Sequence, residues 1–176
     1  MKLKLFIITI IVASFAMIGL LGGCGGNSGR NGQDNSIAID MTTPDNTTHS
    51  WGTVNGERAL TYHKDGEILF LLVYRTLDDN ELTIDTVYTT NGKTMRISCS
   101  DLPTTDRLDF TATSSDKSVA FLSQIGTDTY TVTAGIAGKA TISITTDDNR
   151  KTSFTVIVVD SESDMPDLAK EIVIKK

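Results

Sequence analysis

Few residues of this 176-residue chain have the chemistry of a reaction centre. There are two histidines, His49 and His63, and two cysteines, Cys24 and Cys99. Activating a serine requires an imidazole within hydrogen-bond reach of the hydroxyl and an acid to orient that ring. His49 lies in a polar run, His63 stands beside an Asp-Gly turn, and no serine occupies a strand-to-helix nucleophile elbow. A phosphate loop, a dinucleotide fingerprint and zinc-ligand spacing are all missing from the sequence. The remaining oxygen-rich runs are Asp78-Asp79-Asn80-Glu81 and Asp147-Asp148-Asn149. Calcium takes several such oxygens, but neither run has the spacing of a calcium loop, and acidic turns serve solvation equally well. The expectation is a protein that is not an enzyme, with no catalytic residue, metal ligand or cofactor. Calcium at the acidic turns is the minor alternative.

Cys24 is different because of what precedes it. Met1-Lys2-Leu3-Lys4 is basic, and Leu5 to Leu21 is apolar apart from Thr9, Ser14 and Gly19. A basic head followed by an apolar run and small residues is the layout of a secretory signal, with the positive head held on the cytosolic side. The run is also as long as the shortest membrane-spanning helices, about 17 residues. Its ending, Leu21-Gly22-Gly23-Cys24, resembles the lipobox of bacterial lipoproteins: an aliphatic residue, two small residues and the cysteine. The resemblance implies that residues 1–23 are a signal peptide removed by cleavage, and that the Cys24 thiol is the lipid attachment site. Each buried CH₂ contributes about 0.8 kcal/mol, so one acyl chain holds marginally, whereas two or three palmitate-like chains hold the protein to a membrane. The competing reading is an uncleaved anchor helix. Both place the remaining chain outside the cytosol, on a cell membrane or an outer membrane.

With Cys24 acylated, Cys99 has no disulfide partner in the chain. It closes the alternating segment Met95-Arg96-Ile97-Ser98-Cys99, where it shares a face with Met95 and Ile97, as a small buried hydrophobe would. The formal charge is −6, and losing residues 1–23, with their two lysines and no acids, makes it about −8. So acidic a surface repels phosphate backbones, which excludes nucleic acid as a partner. It supplies no basic patch for anionic lipid either, leaving membrane contact to the anchor.

Residues 24–50, glycine-rich and then polar, read as the lipidated cysteine and a flexible tether. Residues 51–79 hold two type I′ turn signals, Asn55-Gly56 and Asp65-Gly66. They predict a small meander built on Glu57–Lys64 and Glu67–Arg75. Ile68 to Tyr74 is apolar almost throughout, which predicts a strand covered on both faces. Trp51, Leu60, Tyr62, Phe70 and Leu72 are its expected packing residues. Residues 80–160 break into seven short strand candidates: Leu82–Tyr88, Lys93–Cys99, Arg107–Thr113, Val119–Leu122, Asp128–Ala134, Lys139–Thr146 and Lys151–Val159. Several alternate cleanly, as in Ala140, Ile142 and Ile144 against Thr141, Ser143 and Thr145. Such strands at this spacing predict a β-sandwich. Residues 161–176 form a tail, open to a short helix capped by Asp164, an edge strand or fraying. The predicted fold class is all-β: a sandwich of about seven strands behind a small meander and a flexible N-terminal tether.

Two segments carry a resemblance. Ser114-Ser115-Asp116-Lys117-Ser118-Val119-Ala120 resembles the first signature of bacterial immunoglobulin-like domains of group 2. Val132 to Ile142, with Gly135-Ile136-Ala137-Gly138-Lys139-Ala140-Thr141 at its centre, resembles the second. The likeness covers about residues 80–160, with departures at Ala112, where the family usually has tryptophan, and at Lys117, often proline. It implies a binding or adhesion module for protein or glycan on the cell surface, the alternative being a structural accessory of a larger envelope complex that docks through the meander. The physical reading of the signatures is structural: Ser114, Ser115 and Asp116 satisfy backbone donors in a turn, and Gly135 and Gly138 allow a tight connection.

Overall fold

The computed structural model describes residues 37–42, 44–77, 81–102 and 104–170. Thirteen strands follow in order: β1 Ile37–Thr42, β2 Thr48–Val54, β3 Glu57–Lys64, β4 Glu67–Thr76, β5 Leu82–Thr90, β6 Thr94–Asp101, β7 Arg107–Leu108, β8 Phe110–Ser114, β9 Ala120–Gln124, β10 Thr129–Ala134, β11 Gly138–Thr146, β12 Lys151–Val159 and β13 Ala169–Lys170. Alternation and turn chemistry account for most of them. Asn55 (φ 53°) with Gly56 (φ 89°), and Asp65 (φ 53°) with Gly66 (φ 88°), adopt the left-handed pair that a two-residue hairpin requires.

The strands make two sheets. Sheet 1 runs β1-β6-β10-β9, with β7 also on β6; sheet 2 runs β13-β2-β3-β4-β5-β12-β11-β8. Neighbours are antiparallel apart from β5 and β12, which are parallel (Val87 opposite Val156). The inner faces meet in one apolar core. Ile39, Ile97, Cys99 and Val132 come from sheet 1, and Leu72, Val87, Phe110, Ile142, Phe154 and Val156 from sheet 2. Fully burying one such large side chain contributes about 1.5–3 kcal/mol.

The expected all-β sandwich is present, and Leu60, Tyr62, Phe70 and Leu72 of the meander belong to its core. The meander therefore continues sheet 2 and is not a separate layer. Strand β4 is covered on both faces, as its composition predicts. Phe70 and Leu72 point into the sandwich, while Leu71 and Val73 meet Val54, Ala59, Met165 and Leu168 on the outside. A bulge at Leu69, where the register slips between Tyr62 and His63, shifts the alternation, and the Thr89 hydroxyl donates to the Leu69 carbonyl at 2.9 Å.

Two expectations are corrected. The stretch 24–50 is not tether throughout: Ile37–Thr42 pairs with β6, burying Ile37 and Ile39, and β2 already begins at Thr48. Polar neighbours and Pro44 mask this short strand in the sequence, and only the waiting edge of β6 gives it a partner. Trp51 is 41% exposed and so is not a core residue. Of the alternatives open for the tail, the edge strand is present within 161–170. Asp164 closes a 3-10 turn over Glu162–Asp164 by accepting from the Ser161 N–H (3.1 Å) and hydroxyl (2.9 Å). The chain then crosses the outer face of sheet 2, and β13 pairs with Thr53 and Gly52 of β2. Gly52 is required there: a Cβ would overlap the Ala169 carbonyl oxygen and lie 2.8 Å from Leu168 Cγ.

Candidate functional site

Strand β1 reaches sheet 2 at β5, where the Ile39 N–H donates to the Thr83 hydroxyl at 2.8 Å. Sheet 2 continues past this junction through β4, β3 and β2. The register sets Trp51 opposite Leu60, Leu60 opposite Leu72, and His49 opposite Tyr62, so these residues share the inner face. Toward β2 that face becomes an aromatic patch. Trp51 lies 5.7 Å from Tyr74 between ring centroids, the Arg58 guanidinium sits 5.0 Å above the Trp51 ring, and His49 is 6.3 Å from Tyr62. Tyr74 is half-buried; burial first, then Tyr62 and Asp40, raise its pKa. An amphipathic indole with a guanidinium over its face is a surface suited to recognition. Trp51 and Arg58 carry no sequence motif; the register of the β2–β3 hairpin brings them together.

The residues with potential chemistry are kept apart. His49 is on the inner face and His63, one position beyond Tyr62, on the outer. Among the described residues no three of His, Cys, Asp and Glu gather as metal ligands would. Asp148 accepts from the Thr146 hydroxyl and from Arg150 Nε (2.7 Å), and Arg150 Nη1 reaches Asp101 of β6 at 2.6 Å. The Thr146 hydrogen bond, followed by those from Arg150, lowers the Asp148 pKa. That carboxylate is thus already engaged in joining the β11–β12 turn to sheet 1. Asp78, Asp79 and Asn80 lie outside the described residues, as does Cys24. Cys99 is fully buried beside Met95 and Ile97 in the core, and burial, with a smaller effect of Asp40, pushes its pKa up to about 12.

The two sequence signatures form one packing unit. Asp116 accepts from the Ser118 N–H (2.9 Å) and hydroxyl (2.6 Å), and the Ser115 hydroxyl accepts from the Thr141 N–H (2.9 Å). The Gly135 and Ile136 N–H groups bond the Val119 and Ser118 carbonyls at 2.8 and 2.9 Å. A Cβ at Gly135 would overlap the Ser118 carbonyl oxygen, and one at Gly138 would lie 2.8 Å from Val119 Cγ2. These residues hold the fold together, as their chemistry predicts.

On the far flank the edge strands β8 and β9 lie side by side, one from each sheet. Between them opens a cleft of about 280 Å³, lined by Ala112, Lys117, Phe121, Leu122, Gln124 and Tyr130 among others. Ala112, which replaces the tryptophan expected from the resemblance, leaves this wall low, and Phe110 fills the core beneath it against Tyr130 at 5.1 Å.

No curated protein matches the chain. A crystal structure of domains 4 and 5 of the S-layer protein SbsC aligns over 70% of this chain and 76% of that chain, at 17% identity and a TM-score of 0.35. The family model of the bacterial Ig-like domain (group 2) matches residues 77–156, from β5 through most of β12, and β1–β4 and β13 lie outside that match.

Proposed function

We propose that the protein is a surface lipoprotein, held to a membrane through Cys24, whose Ig-like module, together with the strands added to it, binds a protein or glycan partner. The observation that carries the binding role is the patch at Trp51: a large aromatic residue, 41% exposed, stacked on Tyr74 and roofed by Arg58. Trp, Tyr and Arg are the residues that dominate binding energy at interfaces. The accessory role needs an open apolar face on the meander. Its outer apolar residues pack with Met165 and Leu168, and Leu60, Tyr62, Phe70 and Leu72 pack inside the sandwich, so the Trp51 patch is what the meander leaves exposed for recognition.

Capture of partners from envelope and host extracts by the full chain tests the reading. A partner retained by the wild type and lost with Trp51→Ala and Arg58→Ala supports it; equal capture by all three removes the patch from the account. Labelled palmitate tests the anchor separately, with incorporation expected in the wild type and none in Cys24→Ala.

A further inference from the structure

The open flank of the sandwich offers a second surface, separate from Trp51. At the opposite flank each sheet edge is partly covered: the Ile39 N–H of β1 donates to Thr83, and β13 pairs with Gly52 and Thr53 of β2. Among the described residues nothing pairs with the outer edges of β8 and β9. Strand β9 also lacks the devices that discourage pairing at an edge, since Ala120–Gln124 contains no charge and no proline. Instead Phe121 is 54% exposed, and Ile125, just beyond the strand, is 57% exposed.

An exposed edge presents backbone N–H and C=O groups whose geometric complement is another extended backbone. Beside that edge the cleft of about 280 Å³ has the capacity for one large side chain, below the usual range of small-molecule pockets. Its wall is apolar at Ala112, Leu122, Phe121 and Tyr130, and Lys117 stands over it without a carboxylate partner among the described residues. A sugar or a helix would leave the strand edge unpaired. We infer that the β8–β9 flank binds an extended segment of a partner protein, which adds a strand to β9, seats one aromatic side chain in the cleft, and places an acidic residue near Lys117.

The probe is a fluorescein-labelled, end-blocked hexapeptide of sequence Glu-Thr-Phe-Thr-Val-Thr, titrated against the full chain in detergent micelles and followed by anisotropy. Saturable binding is expected. It should weaken about tenfold or more when alanine replaces the aromatic residue, the size of effect expected when an anchor loses its pocket. Methylating alternate backbone nitrogens should produce a similar loss. So should Ala112→Trp, which fills the cleft, with the melting temperature held or raised. Phe121→Lys, at an exposed position, provides the same test should Ala112→Trp fail to fold. Trp51→Ala should bind the peptide as the wild type does, so failure of the Trp51 reading leaves this one standing. Absence of binding at millimolar peptide overturns the inference, as does equal binding by the folded Ala112→Trp protein. A wild-type dimer that ignores the peptide and dissociates with Phe121→Lys would assign the flank to a second copy of this chain, and overturns it too.

Discussion

The two flanks of this sandwich solve the same problem differently. At the β1–β5 flank each sheet edge has a partner: a side-chain hydroxyl for the Ile39 N–H and a two-residue strand for β2. At the β8–β9 flank both edges stay open among the described residues, an aromatic side chain is exposed, and a cleft separates the sheets. Strands within the family match supply the open flank, whereas β1–β4 and β13, all outside it, build the other. The strands outside the match bury apolar surface and cover part of an edge. The matched part retains the exposed edge.

The contrast is sharpest for two phenylalanines. Phe70, 2% exposed in the core, should cost about 3–5 kcal/mol on replacement by alanine. Phe121→Ala, at an exposed edge, should fall within about 0.5 kcal/mol. Denaturant unfolding measures both, and equal costs would erase the distinction between the flanks. Next is Gly52→Val, which forces the C-terminal segment off β2 and should cost about 3 kcal/mol, the upper end for overpacking. Earlier protease cleavage between Pro166 and Lys170 should accompany the lower melting temperature, and a variant as resistant as the wild type would show that β13 does not seal the edge. Smaller again is Thr83→Val, which strands the buried Ile39 N–H at a cost of about 1–3 kcal/mol. Thr111→Val, on β8, should change stability by less than about 0.5 kcal/mol.

The smallest effect near neutral pH comes from Cys99. Its folded pKa of about 12 exceeds the ordinary value of 9.0, so both states are protonated below pH 9 and the thiol has no influence there. Between pH 9 and 12 the unfolded chain releases the proton and the folded one does not, so stability falls as pH rises through that window. Tyr74, also raised, adds to the same decline at its upper end. Unfolding followed across this range should show a shallower slope for Cys99→Val. In the native wild type the thiol should resist alkylation at pH 8, and rapid labelling there would contradict the burial.

Much of this molecule is legible in its order of residues. The strands from Glu57 to Val159 follow from alternation and turn residues, because a period of two and a left-handed Asn-Gly pair are properties of a few consecutive residues. The signature loops are legible for the same reason: Asp116, Gly135 and Gly138 act on backbone within reach of their own strands. Other features depend on distant segments. Ile37–Thr42 looks like tether until the free edge of β6 is there to receive it. The pattern of β2 does not tell how far the opposite sheet extends over Trp51; its exposure results from sheet 1 ending at β1. What the sequence determined by itself is a chain of β-strands, their turns, the Ig-like signatures and the signal-like start ending at Cys24. Only the tertiary structure decided which sheet each strand joins, since alternation is the same in either sheet and the partner is chosen by contacts between residues far apart in the chain. That choice leaves one flank sealed and the other open.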